Sequence, residues 1–136
     1  MERITVKTKI QASAKMVWDL WTGPEHIVKW NTASDDWHTT KADNDLRVGG
    51  KFRSRMEAKD GSFGFDFSGT YISVEPYKSI AYTMDDGRKA EVDFKENIGE
   101  TEIVTVFDAE SQNPIEMQSN GWQAILDNFK KYVENF

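Results

Sequence analysis

Residues 113–136 read NPIEMQSNGWQAILDNFKKYVENF, and this stretch decides the fold. Trp122, Ile125, Leu126, Phe129, Tyr132, Val133 and Phe136 recur at intervals of three and four, which is the spacing of one helix face. Such a stripe is wide enough to need a partner surface. Asn113-Pro114-Ile115-Glu116 reads as the start of the helix. Asn113 is the expected cap, Pro114 the first helical residue, and Glu116 reaches back to complete a capping box.

The partner surface lies upstream, where the period changes from helical to alternating. Phe52, Ser54 and Met56 alternate with Lys51, Arg53 and Arg55, and Phe63, Phe65 and Phe67 with Gly64, Asp66 and Ser68. Ile80, Tyr82 and Met84 follow, then Ala90, Val92 and Phe94 between charged neighbours, then Ile103, Thr105 and Phe107. Period two marks strands with one buried face. Asp60-Gly61 and Asp86-Gly87 are hairpin signals, and Asn97 to Glu100 forms a further turn. Gly69 is the expected site of a bulge, which leaves the register of Thr70 to Val74 open.

Ahead of these strands, Ile4, Val6, Thr8 and Ile10 alternate as a first strand. Ser13 caps a short helix carrying Met16, Val17, Leu20 and Trp21, and Gly23-Pro24 closes it and opens a second helix with Ile27 and Trp30. The predicted class is α+β: a curved antiparallel sheet of about six to seven strands around a long C-terminal helix, with two short helices after the first strand. No linker or repeat divides residues 1–136, so one domain is expected.

Composition narrows the function. The chain carries a net charge of −6, with 17 basic and 23 acidic residues. Such a surface repels a phosphate backbone and anionic lipid, so neither nucleic-acid binding nor membrane insertion is expected. There is no cysteine, which removes thiolate chemistry and zinc–thiolate sites and suits a cytoplasmic protein. No signal peptide is visible at Met1-Glu2-Arg3-Ile4. Five Trp, eight Phe and four Tyr in 136 residues point to a bulky core or a ring-lined pocket.

The order of these segments resembles the START-like, or helix-grip, superfamily (SRPBCC), which includes the birch pollen allergen. Within it, the chain is similar to the group named after the activator of the ninety-kilodalton heat-shock protein ATPase. Ala12 to Trp21 carries the resemblance, with Gly23-Pro24-Glu25, Trp30, Asp45-Leu46-Arg47-Val48-Gly49-Gly50, Gly69-Thr70-Tyr71, Glu75-Pro76 and Gly121-Trp122. It implies a sheet wrapped around the last helix and a cavity that in relatives holds lipids, hormones or polyketides. It implies no universal catalytic residue. Eukaryotic activators carry an additional N-terminal domain, for which 136 residues leave no room. Position 23 departs from the group's frequent Asp, and its glycine is a weaker cap.

The candidate ligand-binding residues are those whose pattern turns them toward the helix. From the sheet they are Phe52, Ser54, Met56, Phe65, Phe67, Tyr82, Met84, Val92, Phe94 and Thr105, with Tyr71 in the open register. From the helix they are Trp122, Ile125 and Phe129. Their hydroxyls need partners, supplied either by bound water in a filled core or by a ligand. Packing in the core likewise explains Trp18, Trp21 and Trp30, some of which border the cavity mouth in the alternative reading.

No catalytic residue, metal or cofactor is assigned. Alternation puts Asp66 on the outer face; a slip of one residue would turn it inward as a general base. Asp36 and His38 share a strand face, but two ligands are too few for a metal. The reading is a binding module for a small apolar, lipid-like or aromatic, molecule. A cyclase or hydrolase using the same cavity and a protein-interaction module serving a chaperone are the rivals. Because Arg53 and Arg55 alternate outward, acids are expected to bind worse than neutral analogues.

Overall fold

A computed structural model describes residues 2–136 of the chain. The element order is β1 (Arg3–Ile10), α1 (Ala14–Thr22), α2 (Pro24–Trp30), β2 (Trp37–Asn44), β3 (Lys51–Ala58), β4 (Gly64–Glu75), β5 (Ser79–Met84), β6 (Lys89–Asn97), β7 (Glu100–Asp108) and α3 (Ile115–Glu134). The strands form one seven-stranded sheet in the order β1-β7-β6-β5-β4-β3-β2. Every neighbouring pair is antiparallel. The sheet curls as a half-barrel around α3, and the class is the expected α+β helix-grip arrangement.

Consecutive hairpins order the sheet from β2 to β7, and β1 closes it by pairing Val6 with Thr105 and Ile4 with Phe107. Gly61 and Gly87, at φ +78° and +93°, supply the left-handed residue their turns require. Ser13 caps α1 by accepting from the Met16 amide at 3.2 Å. Gly23 has no side chain with which to cap α2, and Pro24 follows it at the first position. The innermost core consists of Phe107, Phe129, Ile10, Ile80, Ile103 and Leu126, each almost wholly buried. Trp18 sits edge-on to Phe94 at 5.2 Å, so α1 plugs the end of the half-barrel nearest that residue. Among the described residues, no helix is long and apolar enough to cross a membrane.

Two expectations need correction. The bulge is not at Gly69, which pairs regularly with Phe52 and Met84. It falls between Tyr71 and Ser73, so Ile72 is the extra residue and lies exposed. Gly69 has another cause: a Cβ there would stand 2.5 Å from the Thr83 carbonyl oxygen and 2.9 Å from the Phe52 ring. The bare backbone lets that ring lie across the strand.

The start of the last helix also differs. Pro114, at φ −57° and ψ 145°, occupies the cap position, and no side chain caps the helix. Asn113 instead donates its amide to Glu110 Oε1 at 2.6 Å. Gln118 instead ties down the loop that leads into the helix. Its Oε1 accepts from the Glu110 amide at 2.9 Å, while its Nε2 donates to the Glu110 carbonyl at 3.0 Å and the Asn113 carbonyl at 2.9 Å. A single buried amide thereby ties the loop after β7 to the first turn of α3.

Candidate functional site

Curling the sheet over α3 leaves space where opposing side chains do not meet. The result is a cavity of about 310 Å³, at the small end of the range for small-molecule sites. Three adjacent strands supply one wall: Phe52, Ser54 and Met56 from β3, Phe65, Phe67 and Tyr71 from β4, and Ile80 and Tyr82 from β5. Val6 and Thr105, paired across β1 and β7, continue the lining. Trp21, Ile27 and Trp30 close one end, and Trp122, Ile125 and Leu126 form the wall contributed by α3.

Ring packing fixes these walls. Phe52 lies edge-on to Tyr82 at 4.8 Å and beside Tyr71 at 5.3 Å. Trp122 stacks on Phe107 at 3.8 Å and meets Phe67 edge-on at 6.1 Å. Trp21 stacks on Trp30 at 4.8 Å. The Trp30 indole N–H donates to the Leu20 carbonyl at 3.1 Å, which holds the ring in one orientation.

The sequence-derived candidates divide into two groups. Phe52, Ser54, Met56, Phe65, Phe67, Tyr71, Tyr82, Thr105, Trp122 and Ile125 line the cavity. Met84, Val92, Phe94 and Phe129 do not; they are buried in the core. Phe94 is covered by Trp18 and Trp21, and Phe129 by Trp21 and Trp30. Alternation identifies an inward face, but it does not say where α1 and α2 fill that face. Asp66 lies on the outer face, with a carboxylate oxygen 3.5 Å from Arg55. Asp36 precedes β2 and does not share a strand face with His38; it accepts from the Ser34 hydroxyl at 2.6 Å.

The polar groups in the wall are unequal. The Tyr71 hydroxyl donates to Asn44 Oδ1 at 2.5 Å, and Asn44 Nδ2 donates onward to the Thr22 carbonyl at 2.7 Å. That hydroxyl is committed to the frame. The hydroxyls of Ser54, Tyr82 and Thr105 form no hydrogen bond within the described chain, although all three residues are buried. Among the described residues no fully enclosed side-chain N or O atom lacks a partner, so these three open onto the cavity space. Burial pushes the Tyr82 phenol far above its ordinary range; Tyr71 adds to the shift and the Arg88 charge partly offsets it. Burial likewise raises the Tyr71 phenol, less the effect of its bond to Asn44. Both are neutral hydrogen-bonding groups at neutral pH.

Two charged residues also contribute to the wall, Asp43 and Arg88. Asp43 pairs with Arg53 at 3.4 Å and is more than half exposed. Arg88 is different, because its side chain is about four-fifths buried. The premise that no cation faces the cavity is therefore corrected, and with it the ground for expecting acids to bind poorly. The signal was present in the sequence: carrying the alternation of Phe94, Val92 and Ala90 back one step reaches Arg88.

Comparison with known families gives this architecture its place. Residues 11–134 match the family model described as Activator of Hsp90 ATPase homolog 1-like protein. The chain belongs to this family. No curated protein matches it. An AHSA1-like protein from Aeromonas hydrophila, solved in solution, is 46% identical, with 98% of this chain and 93% of that one covered and a TM-score of 0.93. A Cytophaga hutchinsonii protein is 48% identical over 98% of this chain and 92% of its own, with a TM-score of 0.85. The Aha1 dimer from Colwellia psychrerythraea shares the fold alone, at 15% identity, 98% coverage of both chains and a TM-score of 0.77. The resemblance to helix-grip proteins holds across this AHSA1-like chain.

Proposed function

We propose that this AHSA1-like domain binds a small, largely apolar molecule, lipid-like or aromatic, in the cavity between the sheet and α3. The observation that carries the reading is a ring-lined cavity into which three buried hydroxyls project without partners of their own. A core meant only to be filled would gain from closing that space or pairing those groups. Binding fits the wall better than catalysis. A cyclase or hydrolase wants a general base facing the substrate, whereas the carboxylate of Asp43 pairs outward with Arg53 and the Tyr82 phenol is held protonated. The chaperone partnership suggested by the family's name would use an outer surface, such as the exposed Phe63 beside Trp37. The ring-lined cavity gives the ligand reading the firmer support.

Intrinsic fluorescence tests it, because Trp21, Trp30 and Trp122 all border the cavity. A panel of long-chain alcohols and flavonoids is titrated into the protein and into Ser54→Leu, whose added bulk enters the same space. Saturable quenching in the native protein, weakened about tenfold or more in the variant, is the expected result. No saturable binding by any member of the panel, or equal binding by folded Ser54→Leu, would refute the reading.

A further inference from the structure

The cavity holds polar groups that its ring count conceals. Trp21, Ile27 and Trp30 occupy one end. Arg88 directly precedes β6, which meets Trp21 further along at Phe94, and Tyr82 pairs with Ala90, two residues from Arg88. Sheet pairing brings these two together. The Met84 amide donates to the Arg88 carbonyl at 2.7 Å, and Tyr82 is the next inward residue along β5. Both side chains border the cavity.

Arg88 is only partly engaged. Its Nε donates to Asp86 Oδ2 at 2.8 Å and its Nη1 to the Asp108 carbonyl at 3.3 Å. Among the described residues, nothing accepts from Nη2. The charged groups nearby are Asp86, more than half exposed in its turn, Asp108, which is engaged by Arg3 at 3.3 Å and by the Lys89 amide at 2.9 Å, and Glu2 and Glu110, which share with Arg88 a second, more open hollow. Asp86 compensates the arginine charge from the solvent side. The remaining N–H groups of the planar guanidinium have no acceptor among the described residues, and Arg88 borders the cavity.

We propose that the ligand is an amphipathic acid, whose carboxylate is received by the Tyr82 hydroxyl and the free N–H groups of Arg88 while its apolar body extends toward Trp21 and Trp30. This deepens the binding reading above and rests on it. A carboxylate only accepts hydrogen bonds, and the two wall groups offer donors that no other part of the chain uses. Arginine suits the role because its donors are fixed in a fork that matches a carboxylate. A neutral ester would leave that fork unmet. The Tyr82 phenol remains protonated beside it because burial disfavours its anion, so it donates instead of competing as a second negative charge.

Matched pairs separate this inference from the parent reading. Palmitic acid and its methyl ester, and a phenylalkanoic acid and its methyl ester, are titrated at neutral pH against the native protein, Arg88→Met and Tyr82→Phe. In the native protein each acid is expected to bind about tenfold or more tightly than its ester, the scale of a charge-assisted pair. Arg88→Met is expected to bring the acid-to-ester ratio close to one, whatever it does to ester affinity itself; Tyr82→Phe lowers that ratio in part. An ester that binds as well as its acid overturns the carboxylate assignment and leaves the cavity reading intact. Failure of every acid and ester to bind overturns both. An acid preference that persists in a folded Arg88→Met variant, checked by circular dichroism, removes Arg88 from the site.

Discussion

Ile98 and Gly99 form the tip of the β6–β7 hairpin with φ of +46° and +75°. Gly99 adopts this conformation freely, whereas a β-branched isoleucine does so at a cost. Ile98 is 97% exposed and gains no burial in return. Ile98→Asn is expected to stabilise the protein by about 1 kcal/mol, because Asn-Gly is the preferred pair for such a turn. Urea unfolding checks this; an unchanged or lower midpoint contradicts it. Gly69→Ala should act in the opposite direction, costing about 1–3 kcal/mol as the new methyl meets the Thr83 carbonyl and the Phe52 ring. Tyr82 sets a pH response. Its folded pKa lies above the ordinary 10.0, so the neutral phenol stabilises the fold fully below that pH, and this contribution is lost as pH rises beyond it. Between about pH 8 and pH 11 the native protein should therefore lose more stability than Tyr82→Phe, as measured by urea unfolding at each pH. Equal losses would mean that the hydroxyl is not buried.

At the scale of elements, the start of α3 depends on Gln118 more than on any terminal cap. Gln118→Ala leaves two carbonyls and one amide of the preceding loop without their partner, and a loss of about 1–3 kcal/mol is expected in denaturant unfolding. A loss near zero would show that water replaces the side chain without cost. This tie was not legible in the sequence. A glutamine one turn inside a helix looks like any polar surface residue, whereas Asn-Pro-x-Glu carries a local capping signal that the fold does not use. Elements with a strong period were legible. The alternation at Ala90, Val92 and Phe94 and the stripe from Trp122 to Val133 depend on burying one face, and the structure buries both. The bulge at Ile72 was not, because one extra residue leaves no mark in a strand that is half-buried on both faces. The cavity wall was legible on β3 and β4 and much less so beneath the plug. Whether Phe94 or Phe129 faces space or another ring depends on α1 and α2, and their position over the sheet is not written in any local pattern.

On the scale of the whole molecule, a half-barrel closed by one helix cannot fill its own interior with the side chains it has. Phe52, Tyr82 and Trp122 are held by neighbouring rings and do not collapse inward, so the space persists. Ser54, Tyr82, Thr105 and Arg88 supply polar groups among the rings of its lining. An occupant should stabilise the fold in proportion to its saturation, by about 2.7 kcal/mol at a hundredfold excess over Kd. The most direct measurement is an NMR titration of isotope-labelled protein with palmitic acid, following backbone and side-chain shifts. Shifts should cluster at Phe52, Phe67, Tyr82, Trp122 and Ile125, with intermolecular contacts from the acyl chain to Trp21 and Trp30. Shifts confined to outward residues such as Lys89 and Glu91, with the cavity signals unmoved at saturation, would contradict the cavity as the binding site.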